Sequence, residues 1–290
     1  MTAATNVGLI RTNNEDNFIV CPDLLSSSWY VPAKGDDVID ANECGSIICV
    51  ADGMGGMNAG EVASAIAVES IKEFFTNSKN LSDVNGEEGA LLKRAIVRAD
   101  EKIKEYAAGN PDSLGMGTTI VMAWIKDSIA HIAWCGDSRA YLFNSKSGLI
   151  RLSKDHSYVQ QLVDSGELDQ DMAMFHPNSN IITRSLGDNS SKSVPDYVSK
   201  RLGSGDLILL CSDGLCGICP DDEILEVLIS NNSCVEACKE GLIEAALNAG
   251  GTDNVTVAIY QCVYVEESNL TSTVSNISRP RFRWWRKNKQ

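Results

Sequence analysis

Short apolar runs rich in β-branched and aromatic residues alternate along the chain with stretches of helical period. Ser46–Ala51 (SIICVA), Thr119–Trp124 (TIVMAW), Ile129–Trp134 (IAHIAW), Ala140–Phe143, Asp206–Cys211 (DLILLC) and Val255–Gln261 (VTVAIYQ) read as strands. Lys126-Asp127, between the second and third, reads as a hairpin turn. Residues 88–107 place Leu92, Ala95, Ile96, Ala99, Ile103 and Tyr106 on one face of a helix. Gly60–Phe75 repeats that spacing through Val62, Ile66, Ile71 and Phe74. Residues 155–166 and 221–248 are further helical candidates, the latter stopped by Asn248-Ala-Gly250-Gly251. Strands at hairpin spacing, with helices in separate blocks, predict an antiparallel α+β fold rather than a parallel βαβ sheet. No internal repeat is visible.

From Glu266 the pattern lapses into polar sequence without period, so the domain is expected to end near Val265, with 266–290 as a flexible tail. The 290 residues carry a formal net charge of −14. Six basic residues and no acid fall within 279–290, which leaves −20 on the other 278. So acidic a body repels phosphate backbones, and nucleic acid is not an expected partner. Phe282, Trp284 and Trp285 among the basic residues suit an anionic membrane surface or an acidic partner, or else a plain solvated terminus. Ten cysteines lie partly in apolar runs (Cys49, Cys135, Cys211, Cys262), where a thiol serves as a small hydrophobe. Cys216-Gly-Ile-Cys219 has no His or second CxxC nearby and reads as core. With no signal-like start and no membrane-length apolar run, the expectation is a cytoplasmic protein with free thiols.

The chemistry is carried by acids at the ends of apolar runs. SIICVA leads into Asp52-Gly53-Met54-Gly55-Gly56, DLILLCS into Asp213-Gly214, and IAHIAWCG into Asp137-Ser138-Arg139. Asp253-Asn254 precedes VTVAIYQ, and Glu15-Asp16 precedes Phe18-Ile-Val20. In an antiparallel sheet alternate strand ends meet at one edge, so these carboxylates are expected to converge there. Packed carboxylates repel unless a cation holds them, and oxygen-only ligands favour Mg²⁺, Mn²⁺ or Ca²⁺ over zinc. The glycines after Asp52 allow the Gly53 carbonyl to serve as a ligand. Arg11, four residues before Glu15, is placed to grip phosphate oxygens. A single Asp-Gly is usually a turn. DGMGGMNAGEVAS, however, runs into a helical stretch and not a second strand.

These residues resemble the metal-dependent PP2C (PPM) protein serine/threonine phosphatases, most closely the bacterial branch. The matching elements stand in the family's order: Gly8-Leu-Ile-Arg11-Thr-Asn-Asn14-Glu15-Asp16, Asp52-Gly-Met-Gly-Gly56, Gly117-Thr-Thr119, Gly136-Asp-Ser-Arg139, Asp155-His-Ser157, Thr183-Arg-Ser-Leu-Gly187, Cys211-Ser-Asp-Gly-Leu215 and Gly251-Thr-Asp-Asn254. The resemblance covers about residues 6–262. The resemblance implies an α-β-β-α sandwich of two antiparallel sheets flanked by helices, with metals at one end.

By that resemblance Asp52 bridges two metal ions and Gly53 offers its carbonyl, while Asp213 and Asp253 ligate the second ion. Glu15 and Asp16 lie beside the pair, and Asp137 with Asp213 holds a third, weaker ion. Arg11 binds the substrate phosphate, so Arg11, Asp52 and Asp213 are the expected catalytic residues. The implied activity is Mn²⁺- or Mg²⁺-dependent hydrolysis of phosphoserine and phosphothreonine proteins by a monomer that opposes a Ser/Thr kinase. The alternatives are a catalytically silent module of the same fold and a small-molecule phosphatase; no P-loop supports NTP binding.

One departure concerns the general acid. Met54 stands where many eukaryotic members carry a His, which leaves metal-bound water or His156, the former preferred. His156 falls at a predicted helix start, where a capping or structural role is simpler; His131 reads as core and His176 as loop. Residues 165–180 match in position the family's mobile flap, and 21–45 form an insertion between the first strands.

Overall fold

The computed structural model describes residues 1–29, 43–55, 59–77, 81, 84–188, 193–232 and 234–263. The domain end at Val265, the basic-aromatic tail 266–290, Gly56 and most of the 21–45 insertion lie outside the described residues.

Two antiparallel sheets stack face to face. In one, β1 (Thr2–Asn6), β11 (Val255–Gln261), β10 (Leu207–Cys211), β7 (Arg139–Asn144) and β8 (Gly148–Arg151) lie side by side in that order. The other runs β2 (Asp16–Cys21), β3 (Ser46–Met54), β5 (Ile120–Lys126), β6 (Ile129–Cys135) and β9 (Asp196–Arg201), with the short β4 (Gly117–Thr118) on the end of β3.

Both faces of each sheet are covered, which explains why the strands read as unbroken apolar runs. Along β3, Ile48 and Val50 face the other sheet with Val121, Ile132, Leu142, Ile208 and Leu210. Ile47, Cys49 and Ala51 face α1 (Ala59–Asn77) and α2 (Glu88–Gly109), meeting Ile71, Phe75, Leu92 and Ile96. On the far side Tyr141, Leu209, Val257 and Ile259 pack on α4 (Asp213–Cys216), α5 (Asp221–Asn231) and α6 (Val235–Asn248) through Leu215, Leu228 and Leu242. The result is the α-β-β-α sandwich.

The differences from the sequence reading are local. The β5–β6 turn is Asp127-Ser128, one residue later than expected: Lys126 pairs with Ile129, and both turn residues take positive φ (51° and 57°). Such a turn matches the right-handed twist of the strands. The helical stretch 221–248 is two helices, α5 and α6, packed on each other. Helix α3 (Tyr158–Asp164) is capped by Ser157, which accepts from the Gln160 N–H. Strands β1, β8 and β9 carry too much polar sequence for their periodicity to announce them; pairing with a neighbour defines them. All ten cysteines are free thiols, nine of them buried.

Candidate active site

The topology brings the acidic strand ends to one edge. Strands β3, β6 and β10 end there, while β2, β7 and β11 begin there. Asp16 therefore stands directly across from Asp52 in the β2–β3 ladder. Asp137 follows β6, Asp213 follows β10 and Asp253 precedes β11. The loop 7–15 crosses from one sheet to the other at the same edge and carries Arg11 and Glu15.

Two of the Asp-Gly pairs are explained by backbone approach. A Cβ on Gly53 would lie 2.2 Å from the Gly60 carbonyl oxygen and 2.5 Å from that of Glu15. A Cβ on Gly214 would lie 1.9 Å from the Asn254 carbonyl oxygen. Any side chain at either position would push α1 off β3, or α4 off β11, and so separate the acids.

Burial and mutual repulsion govern the carboxyls. Asp16 is buried; its Oδ2 accepts from Ser212 and Thr256 hydroxyls, each at 2.7 Å. Desolvation outweighs those hydrogen bonds and pushes its pKa up to about 7. Asp52 is shifted well above the ordinary carboxylate range by burial, then by the charges of Asp213, Asp16 and Asp137. Its carboxyl hydrogen-bonds that of Asp213, whose own pKa burial also raises, so the two titrate as a pair above the ordinary carboxylate range. Burial and Asp213 likewise raise Asp137, and burial raises Glu15 against the lowering effect of Arg11. Arg11 Nη2 reaches Asp253 Oδ2 at 2.7 Å, at the exposed rim of the edge.

Among the described residues no three His, Cys, Asp or Glu side chains stand together as a closed cation cage. The donor set nevertheless fits hard divalent cations. It is all oxygen, it crowds acids until burial and mutual charge raise their pKa values, and the positive charges that act on it are those of Arg11 and Arg139. A divalent ion relieves that repulsion and favours the ionised carboxylates.

Several residues that order this edge carry no signal of their own in a linear reading. Asn254 donates its amide N–H groups to the Val7 and Asn13 carbonyls, both at 2.9 Å, and accepts the Glu15 N–H at 2.8 Å. It thereby ties down the loop that carries Arg11 and Glu15. Thr118 Oγ1 and the Thr119 N–H both donate to the Asp52 carbonyl at 2.8 Å. Arg139 forks onto Asp155 at 2.9 and 3.2 Å and donates to the Tyr141 hydroxyl (3.1 Å) and the Cys216 carbonyl (3.2 Å). It thus joins the Asp137 turn to α4, which begins at Asp213. All of these lie inside or beside the motifs quoted above, which was their one legible signal.

His156 is buried with both ring nitrogens engaged. The Gly136 N–H donates to Nδ1 (3.1 Å), so Nε2 carries the proton and faces Asp196 Oδ2 (3.1 Å). Its role is structural: it clamps the Gly136-Asp137 turn. His131 is a core residue hydrogen-bonded to the Tyr197 hydroxyl at 2.8 Å. The stretch 165–180 holds a 3-10 turn, Gln170–Phe175, and the half-buried His176.

The protein phosphatase 2C family profile matches residues 3–162. The serine/threonine phosphatase stp of Listeria monocytogenes is 35% identical over 257 residues, covering 89% of this chain and 93% of the relative. The crystal structure of Stp1 from Staphylococcus aureus superposes with a TM-score of 0.76 at 31% identity, over 91% of this chain and 94% of that one. The catalytic domain of PstP, solved with two manganese ions, superposes at 0.71 and 31% identity, over 91% and 97%. The chain belongs to the protein phosphatase 2C family.

Proposed function

We propose that this protein is a metal-dependent protein serine/threonine phosphatase, hydrolysing phosphomonoesters of phosphoserine and phosphothreonine proteins and so reversing Ser/Thr kinase action. The observation that carries the reading is the edge itself: crowded, part-protonated acids from both sheets, with Arg11 at their rim. Asp52 and the Gly53 carbonyl, Asp213 and Asp253 are the residues to hold two divalent ions, Mn²⁺ or Mg²⁺. Glu15 and Asp16 stand beside them, and Asp137 with Asp213 offers a third, weaker position. Bound there, such ions supply positive charge to phosphoryl oxygens and lower the pKa of attacking water.

The chain's own residues do the rest. Arg11 exchanges Asp253 for phosphate oxygens and orients the ester, with Asn254 holding its loop in place. Met54 has no proton to give and both nitrogens of His156 are engaged, so the leaving alkoxide takes its proton from water. No helix among the described residues is long and apolar enough to cross a membrane.

Hydrolysis of p-nitrophenyl phosphate and of a phosphothreonine peptide, with Mn²⁺ and after chelation, tests the reading. Chelation should abolish both activities and Mn²⁺ should restore them. Asp52→Asn and Asp213→Asn should each lower kcat by roughly a thousandfold or more at unchanged fold. Activity that survives chelation, or near-normal rates in both variants, would overturn it.

A further inference from the structure

Three apolar side chains stand in the open next to the candidate phosphate site. Val7, Leu9 and Ile10 are 37, 64 and 68% exposed, and Arg11 follows directly. Leu9 and Ile10 are among the most exposed large hydrophobic residues described.

Their exposure is built in, because the backbone around them is anchored at Val7, Gly8, Leu9 and Asn13. The Gly8 N–H donates to Asn6 Oδ1 at 2.8 Å, and the Leu9 N–H donates to the Gly251 carbonyl at 2.7 Å. Asn254 holds Val7 and Asn13 on either side. Gly8 takes φ +80°, where a Cβ would meet the Asp253 carbonyl at 2.3 Å, so the chain is pressed against the Asp253 turn. A partner that covers these side chains therefore pays little backbone-ordering entropy.

The surrounding charge restricts what that partner can be. Asp253 and Glu15 flank Arg11, and Glu61 is brought to the loop by the Asn13 amide at 3.2 Å. The whole molecule is at −14. A phosphopeptide already brings close to two negative charges on its phosphate. Acidic neighbours in the substrate would meet Glu61 and the acidic surface outside the metal-holding cluster, whereas apolar neighbours would bury surface on Leu9 and Ile10.

We infer that Leu9 and Ile10 form a specificity rim that selects phosphoserine and phosphothreonine segments flanked by apolar residues and disfavours acidic ones. The inference rests on the phosphatase reading and on Arg11 as the phosphate anchor. It goes beyond that reading by naming the sequence class of the substrate and the residues that choose it.

The test uses the full chain, saturated with Mn²⁺, and three phosphothreonine peptides that differ only in the two flanking residues: both Leu, both Lys or both Asp. Wild type should favour Leu flanks over Asp by roughly tenfold in kcat/KM, and over Lys by about fivefold. Ile10→Ser should shrink the Leu-to-Lys ratio, and Leu9→Ser with Ile10→Ser should bring it to one or below, since the apolar contribution is then gone and the acidic surroundings favour Lys. Hydrolysis of p-nitrophenyl phosphate, which has no flanks, should stay at the wild-type rate in both variants. Equal turnover of the three peptides by wild type, or a Leu-to-Lys ratio untouched in the double variant, overturns the rim and leaves the phosphatase reading standing. A wild-type protein inert toward every phosphate ester overturns both.

Discussion

Asn254 makes three hydrogen bonds to backbone groups of the loop that carries Arg11 and Glu15, and it does so from a buried position. Its neighbour Asp253 attracts attention because acids announce metal chemistry, yet the amide next door sets where Arg11 stands. Asn254→Ala should cost about 2–4 kcal/mol, since two carbonyls and one N–H lose their partner at a part-buried site. It should also raise KM for p-nitrophenyl phosphate more than it lowers kcat, because the displaced group is the proposed phosphate anchor and not the acid pair. Urea unfolding and steady-state kinetics check the two halves; an unchanged KM would detach Asn254 from the loop. Asp16 illustrates the same scale differently. Neighbours in sequence say nothing about its burial, but Ser212 and Thr256, on the facing sheet, give its carboxyl two donors.

Arg139 links elements. Its guanidinium connects the turn after β6 with Asp155 ahead of α3 and with the Cys216 carbonyl of α4, and its side chain is 17% exposed. Asp155, 9% exposed, also receives Arg151 from the end of β8. Four elements are thereby locked around the Asp137–Asp213 pair. Arg139→Met leaves Asp155 only one cation and should destabilise the fold by about 2–4 kcal/mol. Arg139→Lys should recover less than half of that, because an ammonium cannot make the forked contact. Thermal melts of both variants decide it; full recovery by Lys would mean that charge alone matters. The helices and the central strands were legible from periodicity, since each buries a stripe or face of its own. The edge strands β1, β8 and β9 were not, because their residues are held by backbone pairing rather than by apolar pattern. The break between α5 and α6 escaped periodicity for a related reason: both helices bury apolar stripes against the same sheet, so the spacing continues across the gap.

At the scale of the whole molecule, charge and burial set the response to pH. Burial holds His131 and His156 below their ordinary value of 6.5, so the folded protein resists protonating them while the unfolded chain does not. A group with a depressed folded pKa of this kind costs nothing above 6.5 and withdraws stability as pH falls below it. Between pH 7 and pH 5 the two histidines therefore withdraw stability while the raised carboxyls at the acidic edge add it. His131→Gln, remote from that edge, should remove part of the loss and shift the whole profile toward greater stability at the acid end. Urea midpoints across that range test this; identical slopes for wild type and variant would overturn it. The net charge of −14 also resolves into parts: a cluster of buried carboxyls at one end of the sandwich and an acidic surface around it, carrying exposed pairs such as Lys72–Glu69 and Arg98–Glu101. From the linear order of residues alone came the antiparallel α+β class, the acids and Arg11 as candidate chemistry, and the family resemblance. All three depend on local patterns: alternation, helical spacing, and motifs a few residues long. Tertiary structure alone decided which acids face each other, which of them are driven to hold protons, and which uncharged residues fix their positions. Those properties arise from contacts between residues as far apart as Asp16 and Thr256, where burial and the field of the neighbours are set by sheet register rather than by sequence.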